Sequence, residues 1–390
     1  MDIDALIYKY EKEIINLSRN IYDFAELGSS EFKSSSLVME KLKEAGFKID
    51  NPYMNMNTAF RAEYGSGTPS VGILMEYDAL PNGHSCGHNL IAAWAFGTAM
   101  ILREIITSGK IVVYGTPSEE GIGEYAGSKA RMAEKGAFNG IDFVLGMHPD
   151  DQWAVGSKAL ADAEMEFTFH GKSSHMAASP CFGINALDAL ATSYNAINNM
   201  RGWARGDRNI VIGMVIREGG KASNVVPDLA ILEVDIRSNN YEFLGRIVSK
   251  IKKLVKGISD GYETVLEIKD LMPIYSEYKP NKTIDNIIMA QLDGMGVPAC
   301  NIDNMDEPAY GSTDEANVSL VVPTGHIDMK IGTGLPGHSD QFREAAAPER
   351  ARKNLIIAIK AAVNAIVEIM NDKKIIEKIK EEFNAYDRKN

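Results

Sequence analysis

A loop rich in metal-binding side chains follows a short apolar run, Val71 to Met75. Within it stand two carboxylates, two imidazoles and a thiol, on Glu76, Asp78, His84, Cys86 and His88. Thiolate, imidazole and carboxylate are the ligands of zinc and related divalent cations, and Cys86 and His88 can point into one cavity. A buried structural cysteine beside a hydrogen-bonded histidine explains this loop equally well.

Two adjacent carboxylates follow the next apolar run, Ile111 to Tyr114. Glu119 and Glu120 lie in Thr116-Pro117-Ser118-Glu119-Glu120-Gly121. Because neighbours at a strand end point in different directions, one carboxylate can bind a metal while the other faces an attacking water as general base. Taken alone, such a pair is more typical of solvated acids at the start of a helix.

Two more histidines complete the set. His148 follows a third apolar run, Phe143 to Met147, and His338 lies in the loop Gly334-Leu335-Pro336-Gly337-His338-Ser339. Each alone is more typical of a hydrogen-bonded loop histidine than of a ligand. Three consecutive strand ends nevertheless deliver metal-type ligands, and this convergence predicts a metal centre suited to hydrolysis.

The apolar runs that precede these residues alternate with longer amphipathic segments. That alternation predicts an α/β fold with a mostly parallel sheet. In such sheets ligands bind at the carboxyl ends of the strands, where the candidate residues fall. The predicted elements therefore place the candidate residues at one edge of one sheet.

The middle of the chain has a different pattern. Strand and helix signals follow each other as β-α-β-β-α-β, which is a ferredoxin-like unit. We expect the first helix to bury one stripe and the second helix another. The segments are Met165 to His170, Ile184 to Met200, Ile210 to Val215, Ala230 to Arg237, Leu244 to Ile258 and Thr264 to Ile268, and the stripes are Ile184, Leu187, Ala191, Tyr194 and Ile197, and Leu244, Ile247, Ile251, Leu254 and Ile258.

After Pro273 the α/β pattern returns and ends in a long amphipathic helix near Arg352 to Met370. The ferredoxin-like unit therefore looks inserted into a larger domain. We predict a catalytic domain made of residues 1–162 and 274–390, interrupted by a second domain of residues 163–273.

Composition restricts the partners and the compartment. The 390 residues carry a formal net charge of −12, which disfavours nucleic acid and anionic membranes. The longest apolar run, Leu90 to Leu102, is too short to span a bilayer, and the N-terminus lacks the basic start of a signal peptide. The three cysteines are too few for a disulfide framework, so we expect a cytoplasmic protein.

In sequence the chain resembles the M20 family of metallopeptidases and amidohydrolases over essentially its full length. The motifs that carry the resemblance are Tyr-Asp-Ala-Leu-Pro, Gly-His-Ser-Cys-Gly-His-Asn, Pro-Ser-Glu-Glu-Gly and Met-His-Pro, in that order. The family branch contains aminoacylases, hippurate-type hydrolases and p-aminobenzoyl-glutamate or β-alanyl dipeptide hydrolases. The resemblance implies a zinc-peptidase-like sheet with helices on both faces, and an inserted ferredoxin-like lid domain.

The same resemblance implies roles for individual residues. Glu119 would be the general base, and Asp78 would support the ligands without binding a metal. Five ligands can serve two divalent ions only if Cys86, a water or a hydroxide bridges them. Zinc suits these donors, and manganese, cobalt or nickel could replace it. The implied ligands are Cys86, His88, Glu120, His148 and His338.

Residues of the inserted unit also match the family pattern. His175 would stabilise the tetrahedral oxyanion, while Asn224 and Arg237 would contact the substrate carboxylate. The alternatives are turn-capping roles for His175 and Asn224, and a surface ion pair for Arg237. Relatives dimerise through this unit, so we expect a homodimer in which His175 could act on the partner's active site.

Three departures from the family pattern bear on the substrate. Glu76 stands where many relatives have aspartate, Ala316 replaces a frequent glycine, and the loop around His326 is unusual. For His84 and His326 we expect supporting or structural roles. The sequence predicts an enzyme that hydrolyses an N-acyl amino acid or dipeptide with a free carboxylate. An aminopeptidase acting on longer peptides is the alternative, and a metal-binding protein without activity is disfavoured by the presence of Glu119.

Overall fold

The computed structural model describes residues 2–203, 209–306, 309 and 311–386. The chain forms two compact units. The first unit contains Met1–Lys158, Tyr278–Pro308 and Asp314–Asn390, and the second contains Ala159–Glu277 with Ala309–Thr313. The second unit is therefore an insertion in the chain of the first.

The first unit is built on an eight-stranded sheet. In chain order its strands are β1 (Lys48–Asp50), β2 (Phe60–Ser66), β3 (Ser70–Met75), β4 (Gly109–Gly115), β5 (Phe143–Asp150), β6 (Ala154–Val155), β11 (Cys300–Asn301) and β12 (Thr324–Lys330). Across the sheet they are arranged as β1-β2-β4-β3-β5-β12-β6-β11. The strands β4, β3, β5 and β12 run parallel to their neighbours in this group, while β2 pairs antiparallel with β4 and β6 pairs antiparallel with β12. The prediction of a mostly parallel sheet is confirmed.

Helices cover both faces of this sheet, as predicted. On one face Ile73 of β3 belongs to the same buried core as Ile14 and Trp94, and on the other face Tyr114 of β4 shares a core with Met132 and Val318. The alternation of side chains along each strand explains why neighbouring residues enter different cores. The helices are α1 (Ile3–Phe24), α2 (Phe32–Glu44), α3 (His88–Ile105), α4 (Ser128–Glu134), α7 (Lys282–Gly294), α8 (Glu315–Val321), α9 (Asp340–Ala345), α10 (Pro348–Asn371) and α11 (Lys373–Ala385).

Two apolar helices anchor the larger core. Residues His88 to Leu102 of α3 are all buried, so this helix is surrounded by protein. Among the described residues, α10 is the one helix whose length and composition would suffice to cross a membrane. Its buried residues, such as Leu355 and Ile359, belong to the same core as α3. A core helix of this kind is expected to be apolar on most of its surface.

The second unit has the predicted β-α-β-β-α-β order. Its elements are β7 (Ala161–His170), α5 (Ala186–Asn199), β8 (Val211–Glu218), β9 (Leu229–Ser238), α6 (Tyr241–Gly261) and β10 (Val265–Asp270). The sheet is antiparallel throughout, with the strand order β10-β7-β9-β8. The ferredoxin-like prediction is confirmed.

The predicted helix stripes in this unit are only partly right. In α5 the buried side chains include Ala189, Leu190 and Ser193, whereas Ala191 is exposed. In α6 the stripe is correct up to Ile251 and then shifts to Val255, leaving Leu254 exposed. Packing buries small residues such as Ala189 and Ser193, and a pattern based on apolar character alone misplaces the stripe.

Two histidines also lie elsewhere than predicted. His148 belongs to β5, which continues to Asp150, and His326 belongs to β12. The apolar run of β5 ends at Met147, but parallel pairing with β12 extends the strand through His148 to Asp150. Backbone pairing with a distant strand therefore outweighs the local change to polar side chains.

Gly115, the last residue of β4, tests how tightly this sheet is packed. It lies opposite Phe60 of β2, and a Cβ atom at Gly115 would overlap the buried Phe60 ring. We expect Gly115→Ala to lower the free energy of unfolding by about 1–3 kcal/mol through overpacking. Gly257→Ala is the control, because Gly257 is an exposed helical glycine with open space around it.

The control should raise the free energy of unfolding by about 0.5–1 kcal/mol, since alanine favours helix. Urea unfolding curves of the parent and both variants measure the two effects. A Gly115→Ala protein as stable as the parent would show that the Phe60 ring has room to move.

Candidate metal centre

The first ligand-bearing segment joins β3 to α3. Gly87 precedes His88 with a φ of +80°, and a Cβ atom there would lie 2.9 Å from Cγ of Pro149. Glycine therefore serves both the left-handed backbone and the close approach of the loop to the residue after His148. This approach brings Cys86 beside His148, with 3.2 Å between Sγ and Nε2.

The second segment is the turn after β4. Ser118 adopts a left-handed φ of +58°, which turns the chain so that Glu119 and Glu120 diverge. Two buried carboxylates hold this turn: Glu31 Oε1 accepts from the Ser118 N–H at 2.9 Å, and Asp78 Oδ2 accepts from the Glu120 N–H at 3.1 Å. Burial raises the pKa of Glu31 to about 7.

Asp78 also fixes the ring of His88. Its Oδ1 lies 2.9 Å from Nδ1, so the other ring nitrogen, Nε2, faces the site. The buried Nε2 atom has no hydrogen-bond partner. It lies 3.5 Å from Glu76 Oε2, 3.7 Å from Glu119 Oε2 and 3.8 Å from Glu120 Oε1. Such a support fixes the tautomer of a metal-binding histidine.

The predicted ligands form two groups that share one residue. Cys86, His88 and His148 make the first group, and Cys86, Glu120 and His338 make the second, with the donor atoms in each group within 4.8 Å of one another. His338 Nε2 lies 3.4 Å from Glu120 Oε2. The structure thus brings all five predicted ligands together, with Cys86 between the two groups.

The His338 loop is tied to the Cys86 loop by its backbone. The His338 N–H donates to the carbonyl of Ser85 at 3.1 Å, and the Asn82 amide donates to the His338 carbonyl at 3.1 Å. His338 itself has a left-handed φ of +61° and an exposed side chain. These contacts explain how a ligand distant in sequence reaches the site.

The electrostatics of the metal-free site favour protonated groups. Burial raises the pKa of the Cys86 thiol. Burial disfavours the charged form of His88, but the Asp78 carboxylate and Cys86 outweigh it and hold the His88 pKa well above its ordinary value. Burial, with Glu119 nearby, raises the pKa of Glu120 to about 7.

These residues fit divalent cations. The donor set contains one thiol, three imidazoles and a carboxylate, which is the chemistry of zinc and its neighbours. Glu120 Oε1 and His88 Nε2 are buried without a hydrogen-bond partner. Buried polar atoms without partners are costly, and a bound cation would satisfy both.

Two histidines lie outside these ligand groups. His84 is buried, with Nε2 2.9 Å from the carbonyl of Ile21, and burial lowers its pKa to about 4. His326 lies between two carboxylates, with Nδ1 2.8 Å from Glu315 Oε1 and Nε2 3.2 Å from Asp328 Oδ1. Gly146 leaves the space that the Glu315 carboxylate occupies.

Sequence reasoning missed a buried ion cluster beside the site. The Lys129 ammonium lies 2.6 Å from Glu76 Oε1 and 2.6 Å from Asp314 Oδ1. Lys129 is fully buried, although a single lysine in an ordinary helical segment gives no such indication. The one available signal was Glu76 itself, a glutamate at a position where aspartate is common.

The three predicted substrate-binding residues lie in the second unit, whereas the ligand groups lie in the first. His175 Nδ1 accepts from the Ala178 N–H at 3.1 Å, so the neutral ring carries its proton on Nε2. The Met176 N–H donates to the Asn224 carbonyl at 3.0 Å, which places His175 and Asn224 in neighbouring segments.

Arg237 is paired within its own unit. Its Nη2 atom lies 3.2 Å from Asp235 Oδ2 and 3.4 Å from Asp162 Oδ2. The ion pair that the sequence left as an alternative is therefore present. Its role as a substrate contact stays a prediction.

Comparisons with known proteins agree with this geometry. A family model described as a peptidase dimerisation domain of the M20 type matches residues 155–263. Human Xaa-Arg dipeptidase is 30% identical over 388 residues, covering 94% of this chain and 88% of that protein. A p-aminobenzoyl-glutamate hydrolase polypeptide of Escherichia coli is 28% identical, covering 91% and 79%.

A solved structure shows the same fold. A dinuclear metal-binding peptidase of the M20 family from Bacillus subtilis superposes with a TM-score of 0.63 at 21% identity, covering 93% of this chain and 99% of that one. The fold, the ligand groups and the relatives define a metal-dependent hydrolase of amide bonds. The chain belongs to the M20 family of metallopeptidases and amidohydrolases.

The pKa shifts predict that metal binding releases protons. The raised pKa values of Cys86 and His88 keep both groups protonated in the metal-free protein at pH 7. Since a ligand must lose its proton, we expect about two protons released and an apparent affinity that rises with pH. Isothermal titration with zinc, in buffers of different ionisation enthalpy, counts them. A heat independent of the buffer would contradict the prediction.

Proposed function

We propose that this protein hydrolyses the amide bond of a dipeptide or N-acyl amino acid with a free carboxylate, using two divalent cations. One observation carries the proposal: two groups of ligands share Cys86, and Glu119 lies 3.7 Å from His88 at the same site. Five ligands serve two ions if the Cys86 thiolate bridges them. Zinc is the first choice, with manganese, cobalt and nickel as alternatives.

When bound, the cations supply Lewis acidity to the substrate carbonyl and to the attacking water. Glu119 takes a proton from that water on its carboxylate and returns it to the leaving nitrogen. Its neighbour Glu120 is held apart by the turn at Ser118, whose N–H donates to Glu31. Asp78 keeps His88 in the required tautomer and, through the Glu120 N–H, keeps both ligand segments in register.

The substrate class is supported by the relatives. The names Xaa-Arg dipeptidase and p-aminobenzoyl-glutamate hydrolase both describe an amide of an amino acid. In our proposal His175 donates from Nε2 to the oxyanion, and Asn224 and Arg237 contact the substrate carboxylate. Arg237 would exchange the carboxylates of Asp162 and Asp235 for that of the substrate.

We also propose a cytoplasmic homodimer. The match to a peptidase dimerisation domain supports the dimer. Strand β8 lies at the edge of its sheet and exposes Val211, Val215 and Ile216, which suits pairing with a second copy. The free thiols of Cys86, Cys181 and Cys300 suit a reducing compartment. Sedimentation equilibrium measures the oligomeric state.

A hydrolysis screen tests the proposed activity. The purified chain is reconstituted separately with zinc, manganese, cobalt and nickel, and offered dipeptides, N-acetyl amino acids, hippurate and p-aminobenzoyl-glutamate. We expect cleavage of at least one class with one of the metals. Activity confined to longer peptides would replace the proposal with an aminopeptidase, and no cleavage with any metal would overturn it.

The two glutamates should separate in their effects. Glu119→Gln removes the base and leaves the ligands, so turnover should fall by about 10²–10⁴-fold with bound metal unchanged. Glu120→Gln should lower metal content instead. Single-turnover rates and metal analysis of both proteins measure the difference. Loss of metal from the Glu119→Gln protein would make Glu119 a ligand.

Arg237→Ala tests the contact with the substrate carboxylate. If Arg237 binds that group, KM should rise for the substrate with a free carboxylate and change little for the corresponding amide, which offers no bidentate partner. Steady-state kinetics with the matched pair of substrates measure the split. Equal losses on both substrates would assign Arg237 to the ion pair with Asp162 and Asp235.

A further inference from the structure

We propose that Glu76 is a further ligand of the cation held by His88, and that Lys129 is a positioning residue that acts through Glu76. The assignment rests on the metal centre of the proposed function and adds to it one ligand from the end of β3. Neither residue belongs to the five ligands that share Cys86.

The distance between the two donor atoms supports this assignment. Glu76 Oε2 lies 3.5 Å from His88 Nε2. Two donors bonded to one tetrahedral zinc ion at about 2.1 Å are about 3.4 Å apart. Both atoms are buried without a hydrogen-bond partner, and Glu76 is only 5% exposed. Glu76, His88 and Glu119 also offer three donor atoms within 4.8 Å of one another.

Lys129 decides which oxygen of Glu76 faces the site. Its ammonium holds Oε1 at 2.6 Å, which leaves Oε2 directed at His88. Asp314 in turn fixes Lys129 at two points, through the ammonium at 2.6 Å and through the backbone N–H at 2.9 Å. One carboxylate oxygen is thus used for support and the other is left for a ligand.

The charge balance of this cluster also favours a cation. Two carboxylates, of Glu76 and Asp314, meet a single ammonium, and all three residues are buried. An uncompensated buried charge is costly. A divalent ion beside Glu76 Oε2 would offset it, while leaving Glu119 to act as the base.

The alternative is a buried ion cluster that only stabilises the fold. Metal affinity distinguishes the two, because a structural role would lower stability and leave binding unchanged. Glu76→Gln is the suitable variant, since its amide oxygen can still accept from Lys129. Asp142→Asn is the matched control: Asp142 is a buried carboxylate of the same unit, paired with Lys380 and bonded to Ser70.

The experiment measures zinc affinity by competition with a chromophoric chelator, and the visible spectrum of the cobalt-substituted protein. Glu76→Gln should weaken one of the two sites at least about tenfold and change the cobalt bands. Asp142→Asn should change neither. Unchanged affinity and spectrum in Glu76→Gln, together with a lower Tm, would overturn the proposal.

A second variant tests the positioning role. Lys129→Met should weaken the same site, and the double variant Glu76→Gln with Lys129→Met should bind no more weakly than Glu76→Gln alone. Additive losses would show that Lys129 does not act through Glu76. These readouts do not depend on turnover, so a parent protein that binds two ions without hydrolysing any substrate would fail the proposed function alone.

Discussion

The carboxylate of Asp78 is the contact on which the site depends. One oxygen lies 2.9 Å from Nδ1 of His88, and the other accepts from the N–H of Glu120 at 3.1 Å. Two segments that follow different strands are thereby fixed by one buried side chain. Because β3 and β4 are parallel neighbours, their carboxyl ends meet at the same edge and Asp78 can span them.

Buried carboxylates recur throughout this edge of the sheet. Glu31, Glu76, Asp314 and Glu315 each have a polar partner on another segment, namely Ser118, Lys129 or His326. Every such group costs desolvation free energy that its partner must offset. The fold thus concentrates negative charge where cations would bind, and a cation that binds only the folded state would stabilise it by mass action.

The sequence predicted the parts of this arrangement that local pattern controls. The five ligands converge because each follows an apolar strand signal or a marked loop, and the inserted unit has the predicted order of elements. Lys129 and Glu31 could not be found in this way, because their partners are distant in sequence and each looks like an ordinary solvated residue. The strand positions of His148 and His326 depend on pairing between β5 and β12, which no local window contains.

That pairing also sets when the site can exist. His148 and Asp328 face each other on paired strands, although the entire inserted unit lies between them in the chain. During synthesis the first ligand group has all its side chains once β5 is made, but the second group waits for His338, which comes after β12. A ribosome-bound chain can therefore offer at most one complete ligand group until its last strand has emerged. Loading of the full metal centre is then a late event, close to release of the finished chain.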